Sequence, residues 1–364
     1  LNSITISFRI SLFCSNFALK ITIEFPMQGK YYKWILFLAF LLLLLAGSIV
    51  AGLCFGEIRF SIQDIFQLWN GDPEDVRLNI LRQLRVPRII LGFIVGGALS
   101  LSGVILQGIF RNPLVEPYTL GISGGASVGV TAAIVLSLHT LHGSFMLPLA
   151  GFAGALVTVI LVYTLGVRRG NVRVHSLLLT GVMISFISSS LMLLIMSVTK
   201  SENLHGIVFW IMGSLNETDP TLIALISVTS LVVLCLAFLY TPALNAMRLG
   251  SERAIQLGIN ANRAIKVLFL LSSLLTGICV SIVGVIGFVG LIIPQLMRFI
   301  IGSDFRILLP SSFIGGGIFL ILSDIFARTI ISPNELPIGV ITGIIGGVIF
   351  ILVMSNTKTK KTID

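Results

Sequence analysis

Long apolar runs alternate with short polar interruptions along this chain, and most of the runs have the length a helix needs to cross a bilayer. About 20 consecutive apolar residues span the hydrocarbon core as an α-helix. Ten such segments stand out: 34–54, 89–110, 119–138, 146–166, 174–198, 221–240, 264–284, 288–301, 307–328 and 338–354. The eighth is the shortest. The pattern predicts an all-α polytopic membrane protein with about ten transmembrane helices.

Composition agrees. Of the 364 residues 55% are hydrophobic and 11% charged, against about 25% charged in an ordinary soluble domain. Such a chain cannot cover itself in polar surface, so lipid is its solvent. The net charge of +9 does not point to nucleic acid, because the Lys and Arg residues fall in short clusters between apolar runs. The positive-inside rule explains those clusters. With both termini cytoplasmic, the inner segments hold Lys30, Lys33, Arg111, Arg168, Arg169, Arg173, Arg248, Arg253, Arg263, Lys266, Arg306 and Lys358. Most acids, among them Asp64, Asp75, Glu202, Asp219 and Glu335, then lie outside. One group breaks the rule: Arg77, Arg82, Arg85 and Arg88 fall on the outer side.

Residues 1–26 form neither a signal peptide nor a span, whereas Met27 opens a basic-then-apolar start. We read 1–26 as a non-native upstream extension or a disordered N-terminus, and 27–364 as the transmembrane domain. Four cysteines (Cys14, Cys54, Cys235, Cys279) lack metal-ligand or redox spacing, and the last three, within or beside apolar runs, read as small apolar packers. An internal echo recurs at an offset of 181: Gly96 with Gly277, Ser100 with Ser281, 103–105 with 284–286, Pro113 with Pro294, and Gly121 with Gly302. The two copies would run in opposite senses, an inverted repeat of the kind transporters place around their pathway.

The span centres hold almost no ionisable residues; Asp324 and Arg328, four apart on one helical face, are the main candidates and lie toward an end. Carriers driven by protons or sodium keep such groups mid-span, so an ion-coupled secondary carrier is disfavoured. Phosphate-cradling loops, metal-binding His pairs and nucleophile elbows are missing, and neither a metal nor a cofactor is expected. Gly-rich stretches at 96–103 and 121–129 read either as close helix packing or as a neutral pore wall. The longest inner loop, 241–263, offers two short helices: Thr241 with Pro242 would start the first, Gly250 would end it, Ser251 would cap the second and Gly258 would end that. It reads as a docking element or as an ordinary structured loop.

The stretch "LRVPRIILGFIVGGALSLSGVILQGIFRNPLVEPYTLGISGGASVGV" at 84–130 resembles the FecCD-type permeases of ABC importers. So do "LGSERAIQLGIN" at 249–260, "GFVGLIIPQLMR" at 287–298, "DIFAR" at 324–328 and "ELPIGVITGIIG" at 335–346. The resemblance implies ten helices per subunit, a second permease subunit, cytoplasmic ATPase subunits that hydrolyse ATP, and a periplasmic or lipid-anchored binding protein. It implies a ferric siderophore as cargo, with haem or cobalamin as alternatives. Arg85, Arg88 and Arg328 match family arginines that dock the binding protein. Leu249, Gly250, Ser251, Glu252, Ala254, Ile255, Leu257 and Gly258 match the ATPase contact. Asn112, Pro113, Glu116, Pro117, Gly121, Ser123, Gly124, Gly125, Pro294 and Gln295 would line or pack beside the pathway. Two departures stand out: Gln295 replaces the usual His, and "GGVIF" at 346–350 lacks the usual proline.

Overall fold

Every one of the apolar segments carries a helix. The computed structural model describes residues 29–56, 58, 60–66, 75–138, 145–168, 171–172, 174–331 and 334–361. The expected extension at 1–26, with Cys14, Met27, Arg169 and Arg173, lies outside them. In chain order the helices are α1 (Lys30–Cys54), α2 (Ile62–Phe66), α3 (Val76–Phe110), α4 (Ile122–Val135) and α5 (Met146–Gly166). Next come α6 (Val174–Val198), α7 (Ser201–Ile211), α8 (Pro220–Leu239), α9 (Thr241–Met247) and α10 (Ser251–Gln256). The series closes with α11 (Ala261–Val283), α12 (Val289–Ile301), α13 (Phe305–Thr329) and α14 (Ile338–Lys361). Among the described residues, α1, α3, α5, α6, α8, α11 and α13 are long and apolar enough to span a bilayer, while α4, α12 and the apolar part of α14 are shorter. A two-stranded antiparallel ribbon pairs Val167 with Val172.

Helix α3 is the axis of the fold. In its most apolar stretch 89% of residues are buried, against 11% in α6, which lies at the periphery. Lipid offers no hydrophobic drive between helices, so small residues that let backbones approach decide the packing. Gly96 meets Gly316 of α13, Gly103 meets Gly290 of α12, and Gly125 and Gly129 meet Gly154 and Ala150 of α5, each so closely that a Cβ would collide with backbone. The glycine stretches are therefore packing seams.

Helix α3 starts well before the expected residue 89, so the misplaced arginines ride on a helix and not on an outer loop. Pro87 lacks an N–H and cannot donate to the residue four back. The chain instead makes a π-turn over Leu81–Arg85, with the Val86 amide donating to the Leu81 carbonyl.

The two halves share a plan. A long helix (α3, α11) is followed by a connecting stretch, which in the first half includes a 3-10 turn over Pro117–Leu120, and then by a half-length helix (α4, α12). The constant offset of 181 does not hold through it. Gly96 and Gly277, like Ser100 and Ser281, are helical in both copies, but 103–105 is helical where 284–286 is not. Pro113 lies in a non-helical stretch while Pro294 sits inside α12. Gly121 precedes α4, whereas Gly302 ends α12. The first connecting stretch is longer than the second, and the register slips.

Candidate functional site

Contacts identify the two ends. At one, Lys30 Nζ pairs with Asp304 Oδ2 at 2.8 Å and Arg248 Nη1 donates to the Ser303 carbonyl at 2.7 Å. This is the end the charge rule assigns to the cytoplasm, and we call it inner. Arg85, Arg88, Asp324 and Glu335 gather at the outer end.

Between the ends, two irregular segments turn back into the bundle. Arg111 ends α3 in the left-handed conformation at φ 49°. The chain then climbs: Gly121 packs against Thr158, eight residues from the inner end of α5, a rise of about 12 Å. Helix α4 is short because this segment has already crossed the inner part of the bilayer. From the other side, 284–288 descends from α11 and delivers the chain to α12, whose 13 residues rise only about 20 Å. Irregular backbone is tolerated at such depth only where protein satisfies its polar groups.

The partners are side chains from across the repeat. Gln295 Nε2 donates to the Pro113 carbonyl at 2.6 Å. Glu116 Oε1 accepts from the Phe288 amide at 2.6 Å. The Tyr118 hydroxyl donates to the Ile286 carbonyl at 3.0 Å and accepts from the Ile286 amide at 3.2 Å. Pro117 packs against Gly290. The residues pair in antiparallel order, 113 with 295, 116 with 288 and 118 with 286, so side-chain rungs join the first segment to 284–288 and to the start of α12. Inside α12, Pro294 leaves the Gly290 carbonyl without its helical donor, and Gln107 Nε2 of α3 supplies one at 3.1 Å. Arg298 in turn donates to Gln107 Oε1.

Glu116 lies between two expected spans, so it adds an ionisable residue to the interior without contradicting their nearly empty centres. It reads as loop in the sequence, yet lies at mid-depth. Tyr118, Phe288, Gln107 and Arg298 are participants that the sequence reading missed. Pro294 carried the one available signal, since a proline inside a helix demands an outside donor. Of the other expected pathway residues, Asn112 caps the turn by accepting the Leu114 amide at 3.0 Å, and Gly121, Gly124 and Gly125 serve packing. Ser123 is half-buried on α4.

At the outer end the three nominated arginines turn inward. Arg85 is buried; its guanidinium donates to the carbonyls of Leu53 at 2.8 Å, Phe55 at 2.9 Å and Ile58, and stacks 4.8 Å from the Phe60 ring. It closes the C-terminal end of α1, where carbonyls lack helical partners. Arg328 is buried and pairs at 2.9 Å with Asp324, one turn before it on the same helical face. Arg88 holds Asp324 through Nη2 at 2.9 Å and Glu335 through Nη1 at 2.9 Å. Glu335 alone of this network is well exposed. Beside it opens a cavity of about 630 Å³ lined by Arg88, Trp210, Asn216 and Glu335.

At the inner end α9 and α10 form the expected helix pair, with corrected caps. Thr241 Oγ1 donates backward to the Phe238 carbonyl at 2.8 Å, while Gly250, at φ 114°, precedes α10 and Ser251 becomes its first residue. Leu257 and Gly258 then close α10: the Gly258 amide bonds to the Ile255 carbonyl at 2.9 Å and the Ile259 amide to Ala254 at 3.0 Å, with Gly258 at φ 78°. This is the Schellman arrangement. It buries Ala254 and leaves Leu249, Glu252, Ile255, Leu257 and Gly258 exposed. Asn245 of α9 bridges to Asp304 Oδ1 at 3.1 Å and to the Phe305 amide at 3.1 Å, tying the pair to the root of α13.

The chain has well-defined relatives. The sequence model of the FecCD transport family matches residues 41–356. The hemin transport system permease HmuU of Yersinia pestis is 35% identical, with 90% of this chain and 97% of that protein aligned. The vitamin B12 import permease BtuC of Klebsiella pneumoniae is also 35% identical, over 93% and 98%. A solved structure described as a metal-chelate type ABC transporter in an inward-facing conformation superposes with a TM-score of 0.77 at 31% identity, covering 88% of this chain and 99% of that one.

Proposed function

The chain belongs to the FecCD transport family, and from that premise we propose that it imports a ferric siderophore across the cytoplasmic membrane. It is a permease of an ABC importer; a separate ATPase hydrolyses the ATP. In our reading it pairs with a second permease subunit, receives cargo from a binding protein at the outer end, and keeps both termini in the cytoplasm. Haem and cobalamin are the alternative cargoes, and they are what the related permeases HmuU and BtuC are named for.

The observation that carries the energy-coupling part is the surface at 249–258. Leu249, Ile255 and Leu257 are each well over half exposed, on a helix pair fixed to α13 through Asn245. Exposed apolar side chains on a rigid, capped element beyond the apolar spans suit a protein partner. An ATPase that grips them can pull on α13 directly. At the outer end, docking falls to the exposed Glu335 and to Arg88, which lines the cavity beside it while also holding Asp324; Arg85 and Arg328 are buried on internal partners. Complementary charge there steers encounter and fixes register.

The test is uptake into proteoliposomes holding the permease, its ATPase and its binding protein, with ferric siderophore, haem and cobalamin offered separately. The reading expects ATP-dependent accumulation of the siderophore. Accumulation of haem or cobalamin alone reassigns the cargo, and uptake that needs no ATPase refutes the importer.

A further inference from the structure

The ladder between the two re-entrant segments differs from the close helix contacts beside it. Where α3 meets α13 and α12, and α4 meets α5, the helices hold each other through glycine seams, which slide or separate only by unpacking. Here the joint is made of a few side-chain hydrogen bonds to backbone, which can open without unfolding any helix. One of its members is a carboxylate at mid-depth, and ionisable groups in such places are costly and persist for a function. Another is Phe288, held at φ 69° where a bulky residue is strained. Strain of that kind persists only where surroundings over-determine it, and it gathers at switch regions. Phe288 is held from both sides: its carbonyl accepts the Leu291 and Ile292 amides at the start of α12, and its amide donates to Glu116 at 2.6 Å, the one of these bonds that comes from the other segment.

The joint also reaches outward. The Phe288 side chain lies against Gly346 of α14, so closely that a Cβ on that glycine would collide with it. Gly284, at the upper end of the descending segment, packs on the Trp210 carbonyl and Gly213 at the end of α7. Five residues therefore link an outer element, the mid-depth crossing and α14.

We propose that Glu116 and Tyr118 are positioning residues for transport: they latch segment 111–121 to segment 284–288 and so keep the inner and outer halves of the permease in step. The proposal rests on the importer reading. Glu116 acts as an acceptor for the Phe288 amide, and Tyr118 as donor and acceptor to Ile286. When the latch is closed, Phe288 is pinned against α14. When it is open, the descending segment can move while α11 and α12 stay intact.

The experiment uses the assembled complex with its ATPase and binding protein in lipid, comparing wild type with Glu116→Gln, Glu116→Leu and Tyr118→Phe. Two quantities are read: hydrogen exchange at the Ile286 and Phe288 amides, and cargo moved per ATP hydrolysed. Gln keeps an acceptor oxygen, so Glu116→Gln should match wild type on both. Glu116→Leu should speed exchange at Phe288 by roughly ten- to a hundredfold, as expected when a buried amide is left without its acceptor. Tyr118→Phe should do the same at Ile286 to a smaller degree. Both should lower cargo per ATP while hydrolysis continues. Protected amides in Glu116→Leu, an unchanged cargo ratio in both disruptive variants, or a Gln variant as defective as Leu would each overturn the latch. A wild-type complex that accumulates none of the three cargoes sinks the importer reading instead, and the exchange measurements then decide the latch alone.

Discussion

Replacing Gly258 tests the link between backbone geometry and energy coupling with little ambiguity. The residue sits at φ 78°, and nothing lies within 4 Å of where a Cβ would be built. Steric collision is thereby excluded, and only the backbone conformation can be affected. Left-handed geometry costs a residue with a Cβ about 1–2 kcal/mol. Losing glycine's freedom in the open state offsets about 0.4–1 kcal/mol of this. Gly258→Ala should therefore weaken the closed α10 by about 1 kcal/mol, roughly fivefold in its population, and the β-branched Gly258→Val by about 2 kcal/mol, roughly thirtyfold. Asn tolerates this region, so Gly258→Asn should stay near wild type. The assay is the affinity of the purified ATPase for the permease in nanodiscs, with binding-protein docking at the opposite end as the control. Affinity should fall in the order Asn, Ala, Val while docking is unchanged. Ala and Val variants with wild-type affinity, or an Asn variant as poor as Val, would refute the reasoning.

Two further outcomes are expected. Gln295 serves as a donor to the Pro113 carbonyl, a role that a histidine N–H can fill, so Gln295→His should retain uptake and thermal stability whereas Gln295→Leu should lower both. At the inner end burial disfavours ionisation of Asp304, but hydrogen bonds from Lys30, the Arg306 amide and Asn245 outweigh it and hold its pKa below the ordinary value. A depressed carboxylate pKa adds stability above the unfolded value, and that stability is lost as pH falls through the folded one. Asp304→Asn should thus melt below wild type at neutral pH, with the gap closing only under about pH 4, as thermal melts in detergent would show.

The helices were legible because the bilayer makes hydropathy nearly one-dimensional: a run such as 174–198 must be a helix wherever it packs. The end of α10 was legible for a similar reason, since Gly258 carries its conformational meaning locally, whereas its start fell on Gly250 and not on the expected Ser251. That Asp324 and Arg328 share one helical face followed from their spacing alone. Depth and partnership did not follow. Glu116 reads as a loop acid because nothing near it in sequence says that the chain turns back into the membrane. Its partner is 172 residues away, as Gln295 is 182 from Pro113. Arg85 reads as an exposed outer cation because the carbonyls it binds belong to another helix. The repeat was visible in Gly96 and Gly277 but slipped register where connecting segments differ in length. Local sequence fixes what a segment must become when its backbone bonds close within itself. Where those bonds are satisfied by distant side chains, as at the crossing of 111–121 and 284–288, only the packed tertiary structure brings donor and acceptor together.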